Sequence, residues 1–491
     1  MLATMTATVL PEGNLVVGDE RIASSDLGRI DHTNPATGEV QASIVAAGPG
    51  EVDRAVQAAR TAFAEWRTWH PGERRDVLLR LAATIEAEGE RLGLIGSLEN
   101  GTPIAFGALA CAATPADWFR YYAGWVDKIE GRTIPVYPHD AFDFTLHEPY
   151  GVVAVLTAFN APMGFIGLKV AAALAAGNCV VIKPSELAPF TTLAFAELCL
   201  QAGLPAGVVN VVTGDGRTGD LLVRHPGVDR ITFTGGGATA RSVVAAAAEN
   251  LTPVTLELGG KSANLVFADA DLDNAIAMAV QMGVALQSGQ GCLLPTRLLV
   301  ERSVYDEVVE AVVDLSENIA VGDPMDSGTL MGPLISERHC ERVLGVIERA
   351  KGEGAGRLLT GGERLGGDLA KGYYVAPTVF GDVDNASALA QHEIFGPVLS
   401  VIPFDDEAEA LAIANATTYG LAGFVFTADL ARAHRVIRGL EAGYVSVNGF
   451  NFFPPNAPFG GWKQSGHGKE GGLEGLLEMT RVKNAYVLFE A

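Results

Sequence analysis

Cysteine is scarce in this chain of 491 residues, and the five that occur are scattered without a C-x-x-C pair. An odd, dispersed set is not the pattern of a disulfide-rich secreted domain or of a zinc site. We therefore expect reduced thiols, a cytoplasmic location and no bound metal. The cysteines are Cys111, Cys179, Cys199, Cys292 and Cys340.

Positive charge and long apolar runs are scarce as well. Lys and Arg number 35 against 58 Asp and Glu, a formal net charge of −23. Such a surface repels phosphate and anionic lipid, so we expect neither nucleic acid nor a membrane as a partner. The most apolar segment, residues 161–176, is too short to span a bilayer and contains Lys169. No basic region followed by a long apolar one opens the chain, so no signal peptide is expected.

What the chain does contain is material for large cores. Hydrophobic residues make up 48% and charged residues 19%, and the length predicts about three domain-sized units. Apolar residues at helical spacing predict helices over 51–66, 73–95 and 115–126. Residues 1–50, which precede them, are predicted to be an irregular lead-in.

From residue 151 onward, short apolar runs alternate with helical patterns. Continuous apolar runs are typical of strands buried on both faces of a parallel sheet, so the fold class is predicted to be α/β. A break near residues 258–260 divides the pattern into two open α/β regions. The predicted strands are 152–156, 179–182, 208–212, 230–233 and 254–258 in the first region and 263–267, 297–300, 399–403 and 445–447 in the second, and the helices include 164–176 and 191–202.

Two turns after predicted strands have the chemistry of a dinucleotide site. Lys183 and Glu186 follow one strand and could hold the ribose hydroxyls of an adenosine, although such a turn is also common at a surface. The Gly-rich turn 234–237 precedes an Ala-rich helix, where bare N–H groups favour a pyrophosphate. The G-x-G-x-x-G fingerprint is missing, so the turn alone does not support a standard Rossmann assignment.

Three residues offer a reaction centre. Cys292, in the Gly-rich stretch 287–292, offers a nucleophilic thiol, and Glu257, at a predicted strand end, offers a general base. Asn160 offers an amide that could stabilise an oxyanion. Each is weak alone, because a lone cysteine is more often a buried structural thiol.

Taken together, these residues resemble the aldehyde dehydrogenase superfamily. The motifs are Glu-Leu-Gly-Gly-Lys from Glu257, Glu-Ile-Phe-Gly-Pro-Val from Glu393, and Pro-Phe-Gly-Gly-Trp-Lys-Gln-Ser-Gly from Pro458, with Trp462 where tyrosine is common. The resemblance runs in family order from Asn34 to the end. It implies a Rossmann-like cofactor domain, a catalytic domain and a small β oligomerisation arm.

The resemblance also implies domain limits and an assembly. Residues 1–130 and 148–258 would form the NAD-binding domain, 259–470 the catalytic domain, and 131–147 and 471–491 the arm. Segments 133–147 and 476–491 alternate polar and apolar residues, as strands that pair with each other or with another subunit do. A homodimer or homotetramer is expected, because family members commonly pair such an arm with a partner's sheet.

The chemistry implied by the resemblance is aldehyde oxidation. Cys292 would attack the aldehyde carbon to give a thiohemiacetal, Asn160 and the Cys292 N–H would hold the oxyanion, and Glu257 would activate water to hydrolyse the thioester. Members that transfer the acyl group to coenzyme A generally lack this glutamate, so a carboxylic acid is the expected product. The alternatives are a coenzyme A-acylating enzyme and a non-catalytic binding protein on the same fold.

The implied cofactor is NAD, with NADP as the alternative, because Glu186 would repel a 2′-phosphate. Gly236 and Ala240 stand where the family usually has serine and glycine, which removes one phosphate contact and adds a methyl group. The implied cofactor-binding residues are Phe159, Lys183, Ser185, Glu186, Gly216, Gly235, Gly236, Glu393 and Phe395.

The implied substrate tunnel is apolar. Leu168 stands where many members carry tryptophan, and Ala161 where a larger residue often sits. No arginine or lysine can be placed there, so an uncharged, hydrophobic or aromatic aldehyde is expected. The implied substrate residues are Leu168, Leu293, Phe453 and Phe459.

Overall fold

The computed structural model describes residues 9–450 and 454–489. Its strands are β1 (Leu15–Val17), β2 (Glu20–Ile22), β3 (Arg29–Thr33), β4 (Val40–Val45), β5 (Thr133–Ile134), β6 (Ala141–Pro149), β7 (Val152–Leu156), β8 (Cys179–Lys183), β9 (Val209–Val211), β10 (Arg230–Thr234), β11 (Val254–Glu257), β12 (Ala263–Val266), β13 (Arg297–Glu301), β14 (Arg357–Thr360), β15 (Thr378–Gly381), β16 (Val398–Phe404), β17 (Tyr419–Gly420), β18 (Ala422–Phe426), β19 (Tyr444–Val447), β20 (Trp462–Lys463), β21 (Gly466–His467) and β22 (Thr480–Leu488).

The α-helices alternate with these strands. They are α1 (Pro49–Trp66), α2 (Pro71–Ala87), α3 (Gly89–Asn100), α4 (Ile104–Ala108), α5 (Thr114–Ala123), α6 (Pro162–Phe165), α7 (Ala171–Ala175), α8 (Phe190–Gln201), α9 (Gly216–Val223), α10 (Gly237–Ala247), α11 (Leu272–Val280), α12 (Tyr305–Glu317), α13 (Glu337–Glu353), α14 (Ala388–Gln391), α15 (Glu407–Asn415), α16 (Leu430–Gly439) and α17 (Gly472–Glu478). π-Helical turns extend three of them, over Leu109–Ala113, Ile166–Val170 and Gln281–Ala285.

The first large sheet has eight strands in the order β2-β1-β9-β8-β7-β10-β11-β21. Its five central strands are parallel and buried, as the continuous apolar runs predict. The chain moves from β7 toward β9 on one side and from β10 toward β11 on the other. The crevice between β7 and β10 is therefore the topological switch point, the place where open α/β sheets bind ligands.

The irregular lead-in predicted for residues 1–50 is wrong where the structure forms β1 to β4, and residues 1–8 lie outside the described part. β1 pairs with β2 and, through Val16 and Val211, adds to the edge of the first sheet, while β3 and β4 form a separate hairpin. These strands are short and their partners lie far along the chain, so no local alternation reveals them. The single helix predicted over 73–95 is two, because the backbone breaks at Glu88, where ψ is 14°.

The second large sheet has the order β14-β15-β16-β13-β12-β18-β19. All its neighbours are parallel except β14 and β15. β12 follows β11 after a short connection, so Glu257 and Cys292 belong to the region where the two sheets meet. The predicted domain limits stay a prediction.

A third, antiparallel sheet contains the arm. β22 pairs with β6 over nine residues, from Thr480 opposite Pro149 to Leu488 opposite Ala141, and β5 pairs with the other side of β6. The strand that the sequence predicts from residue 476 begins at Thr480 in the structure, because α17 and Met479 pack into the core of the first sheet.

The described residues contain neither a membrane-spanning helix nor a cluster of metal ligands. None of the described helices has the length and apolar character needed to cross a bilayer. Within the same part of the chain, no three His, Cys, Asp or Glu side chains lie close enough together to hold a metal ion.

Candidate active site

Cys292 follows a turn whose backbone is held in an unusual conformation. Gln287, Ser288 and Gly289 have φ values of 51°, 55° and 70°. Left-handed backbone is costly for residues other than glycine, typically about 1–3 kcal/mol each, and persists only where surrounding contacts enforce it. Two such contacts are the Gln287 side-chain amide, which donates to the Asn160 carbonyl at 2.7 Å, and the Ser288 hydroxyl, which donates to Gly332 at 2.7 Å.

Glu257 ends β11 and is almost fully buried, and neither of its carboxyl oxygens has a hydrogen-bond partner. The C-terminal motif packs beside it: Gly466 lies opposite Glu257 in the sheet, and the Ser465 hydroxyl donates to Gly259 at 2.7 Å. A Cβ at Gly466 would stand 2.0 Å from the Leu256 carbonyl, so this approach requires glycine. The motif therefore builds one wall of the site.

The surroundings of Glu257 favour its neutral form. Burial raises its pKa well above the ordinary value, and the negative charge of Glu470 raises it further. Lys169 and Lys469 act in the opposite direction. Lys169 is itself fully buried, where it donates to Glu470 and, at 3.0 Å, to the Thr232 hydroxyl. Once it is ionised, a carboxylate whose pKa is raised is a stronger base than an ordinary one, which suits a general base.

The thiol of Cys292 is also held in its neutral form. Burial raises its pKa to about 12, and the charges of Glu393 and Glu257 raise it in the same direction. The backbone N–H groups of Cys292 and Leu293 lower it. A Cβ at Gly260, three residues after Glu257, would stand 2.4 Å from the Cys292 carbonyl oxygen, and the Gly260 N–H donates to Glu393 at 3.1 Å. The structure therefore brings the segments of Cys292, Glu257 and Glu393 together.

Asn160 lies on the loop after β7, where its side chain is largely buried. Besides the bond from Gln287 to its carbonyl, the loop receives a hydrogen bond from the Asn100 side chain to the Phe159 carbonyl at 3.1 Å. The backbone that carries the predicted oxyanion donor is thus tied to both α3 and the Cys292 turn.

The predicted adenosine residues gather at the carboxyl end of β8. Lys183 is largely buried and lies 3.5 Å from the Glu186 carboxylate. Burial lowers the pKa of Lys183, and the charges of Glu186 and Asp215 raise it. Asp215 caps α9, whose first residue is Gly216, so this segment lies close to Lys183. Ser185 closes the turn by accepting from the Leu187 N–H at 3.2 Å.

The Gly-rich turn after β10 leaves open space at the start of α10. A Cβ at Gly235 would stand 2.5 Å from the Phe233 ring, so a larger residue there would require that ring to shift. At Gly236 a Cβ would meet nothing within 4 Å, so no steric reason excludes the serine usual in the family. An open helix N-terminus beside the switch point, with Lys183 at the same edge of the sheet on β8, two strands away from β10, fits a dinucleotide pyrophosphate.

Glu393 and Phe395 lie on the loop before β16. The Glu393 carboxylate accepts from the Gly260 N–H at 3.1 Å, and burial raises its pKa to about 7. Phe395 has a φ of 57°, and its ring meets that of Phe159 edge-on at 5.7 Å. Two predicted cofactor residues from different sheets are therefore in contact.

The predicted substrate residues do not all lie in the same cluster. Leu293 and Phe459 belong to one apolar cluster, against which Cys292, Tyr444 and Phe450 pack. Leu168 is half-buried and packs against the core of the first sheet instead. Phe453 lies outside the described residues.

Sequence reasoning overlooked several residues of the site. The four aromatic rings near Cys292 stand 5.8–6.3 Å apart in successive pairs, yet the prediction includes only Phe459 of them. Periodicity could not find the others, because a core and an aromatic pocket have the same pattern. The overlooked residues are Asn100, Lys169, Gln287, His339, Arg342, Phe424, Tyr444, Phe450 and Glu470.

A model of the aldehyde dehydrogenase family matches residues 22–485, which is nearly the whole chain. The chain belongs to this family. An aldehyde dehydrogenase from Bacillus cereus, solved as an NAD+ complex, is 39% identical over 99% of each chain, with a TM-score of 0.95. PnpE from Pseudomonas sp. WBC-3 is 40% identical over 98% of each chain, also at 0.95. A betaine aldehyde dehydrogenase from Staphylococcus aureus, solved with NAD+, is 35% identical over 98% of each chain at 0.95. The predicted family and α/β fold are confirmed.

Proposed function

We propose that this aldehyde dehydrogenase oxidises an uncharged, hydrophobic or aromatic aldehyde to its carboxylic acid, with NAD as the cofactor. The observation that carries the proposal is the packing of the segment after Glu257 on Cys292, where a Cβ at Gly260 would stand 2.4 Å from the Cys292 carbonyl oxygen. An apolar cluster packs against Cys292, and the turn before it is bonded to the Asn160 loop that follows β7. A nucleophile, a base and a hydrophobic wall are what such an oxidation requires.

In this proposal the chain's own residues perform three tasks. The Cys292 sulfur bonds to the aldehyde carbon as its proton leaves for a base, while Asn160 and the Cys292 N–H stabilise the oxyanion, typically by about 3–4 kcal/mol per donor. NAD, when bound, supplies the acceptor for the hydride. Glu257 then takes a proton from water, the water oxygen bonds to the thioester carbon, and the carbon–sulfur bond breaks to release the acid.

Most of the residues that would hold NAD lie at the carboxyl edge of the first sheet, and Glu393 lies on the loop before β16 of the second sheet. Lys183 and Glu186 would bind the adenosine ribose, and the turn at Gly235 and Gly236 would bind the pyrophosphate. Glu393 would bind the ribose next to the nicotinamide. NAD is preferred over NADP because Glu186 would meet a 2′-phosphate with like charge.

The apolar character of the substrate rests on the rings around Cys292. Phe424, Tyr444, Phe450 and Phe459 form one contiguous aromatic cluster on this side of the thiol. Its half-buried members, Tyr444 and Phe450, give it an aromatic surface. Aromatic and aliphatic groups are stabilised by such a surface, whereas a carboxylate there would lose hydration without gaining a cation.

A panel of aldehydes tests this function through NADH absorbance and product analysis. It contains an aromatic aldehyde, a medium-chain aldehyde, a carboxylate-bearing semialdehyde, and betaine aldehyde. We expect the first two to have the highest kcat/KM, the free acid to form without coenzyme A, and Cys292→Ala to abolish oxidation while NAD still binds. Strict dependence on coenzyme A, or a preference for the charged compounds, would contradict the proposal.

We also propose that the chain forms a homodimer or homotetramer in the cytoplasm through its arm. β22 is the outer strand of its sheet, so one edge of its backbone is open. Val482, Val487 and Phe489 are 60%, 48% and 66% exposed. Apolar side chains along an open strand favour burial against a second copy. The five cysteines are free thiols, which suits a reducing compartment.

A further inference from the structure

His339 lies on α13 between two loops that come from different sheets. One ring nitrogen, Nε2, stands 2.6 Å from the Phe395 carbonyl oxygen. The imidazole meets the Phe159 ring edge-on at 6.1 Å and the Phe395 ring at 6.2 Å. Phe159 follows β7 in the first sheet, and Phe395 precedes β16 in the second. The histidine therefore connects the two sides of the crevice.

The hydrogen bonds of His339 define its tautomer. A carbonyl only accepts, so Nε2 must carry the proton. A guanidinium only donates, and Arg342 stands 3.3 Å from Nδ1, so Nδ1 is the acceptor. Burial and the charge of Arg342 lower the pKa of His339 to about 4, which keeps the ring neutral near pH 7. Arg342 also donates to the Ile394 carbonyl. Two side chains on one face of α13 thus hold two successive carbonyls of the loop.

This loop needs holding because its own backbone does not favour the observed conformation. The backbone of Phe395 lies in the left-handed region, with a φ of 57°, and surrounding contacts must enforce this conformation. The next carbonyl, that of Gly396, packs so closely on the Cys292 turn that a Cβ at Gly289 would stand 2.1 Å from it. On its other side the loop places Glu393 against Gly260. A shift of the loop would therefore move the Glu393 carboxylate and the Cys292 turn together.

We propose that His339, oriented by Arg342, is a positioning residue that fixes Glu393 and Phe395 in the place where they receive the cofactor. The inference rests on the proposed NAD-dependent function. The imidazole transfers no proton in this role: it donates one hydrogen bond, accepts another, and fills the space between two phenyl rings. Loss of the donor should weaken cofactor binding more than the chemistry at Cys292.

The test compares His339→Leu, His339→Gln and Arg342→Gln with the wild-type enzyme. Controls are His434→Leu and Arg338→Gln, because both side chains are exposed and Arg338 lies on the same helix. For each variant we would measure the Kd of NAD by fluorescence, KM for NAD, kcat with one good aldehyde, and Tm. The leucine should raise Kd and KM by about five- to tenfold, the effect of one lost hydrogen bond, with kcat within about threefold.

The glutamine variant should recover most of the affinity, because its amide can donate to the Phe395 carbonyl. Arg342→Gln should raise KM by a smaller factor, and it tests the proposal if the leucine variant does not fold. An unchanged Kd and KM in both variants, or a fall in Tm and kcat alone, would show that the contact is only structural. A wild-type enzyme that neither binds NAD nor reduces it would overturn the proposed function and this inference with it. An active wild type with unaffected variants would overturn this inference alone.

Discussion

The thiol of Cys292 should be almost entirely protonated at neutral pH before cofactor or substrate binds. With a pKa of about 12, roughly one thiol in ten thousand is ionised at pH 8, against about a quarter for an ordinary cysteine of pKa about 8.5. A more basic thiolate is a better nucleophile, with a Brønsted slope of about 0.4–0.5. The two effects together predict alkylation roughly fifty-fold slower than that of a free thiol.

Iodoacetamide labelling followed by intact mass measures this rate between pH 6 and 10. The other four cysteines are buried, so Cys292→Ser gives the background. We expect the rate to rise about tenfold per pH unit without a plateau, because the thiolate fraction grows in that proportion below the pKa. A plateau near pH 7 would show a preformed thiolate and would refute the electrostatic argument. Replacement of Glu393 by Gln should speed labelling at high pH, since one of the charges that raise the pKa is removed.

Three further predictions concern the reaction, the cofactor and the assembly. Glu257→Gln should keep the pre-steady-state burst of NADH but slow turnover by at least about a hundredfold, because hydrolysis of the thioester fails. Glu363→Gln is the control, since Glu363 is exposed. Loss of the burst would place Glu257 earlier in the reaction. Glu186→Gln should raise the NADP-to-NAD ratio of kcat/KM by about tenfold, and a wild type that prefers NADP would contradict its role. Deletion of the residues after Thr480 should dissociate the oligomer, as measured by light scattering, and Val487→Lys should weaken the oligomer without unfolding the subunit. A monomeric wild type would refute the arm's role.

The parts of the fold that could be predicted are those with a local pattern. β7 was bounded correctly from sequence, because a strand buried on both faces is apolar throughout. β1 and β14 were not predicted, since the first has three residues and the second is half-exposed beside a bulge. β18 is buried but begins Ala-Gly, which lowers its strand signal. Their pairing depends on distant partners, which no local window contains.

The residues of the candidate site also differ in whether a local sequence pattern reveals them. Cys292 and Glu257 could be found because each stands in a glycine-rich stretch, and the two occur together with Asn160 in the order that the family resemblance implies. His339 and Arg342 lie on an amphipathic helix whose charged residues look like an ordinary solvated face. Lys169 stands in an apolar segment, and its partner Glu470 is 301 residues away in the sequence. Contacts of that separation become visible only once the fold is known.

Four ionisable groups at and around the thiol share one property, which is that burial shifts the pKa of each in the direction of its neutral form. Cys292, Glu257 and Glu393 have raised pKa values. Lys261, buried without a hydrogen-bond partner and close enough to Glu393 to be affected by its charge, has a pKa lowered to about 7. Neutral groups avoid the cost of burying unpaired charge, so this arrangement stabilises the fold while it suppresses the nucleophile. Anything that brings positive charge or water to Cys292 would therefore activate it, and reactivity would depend on what binds and not on the unliganded chain.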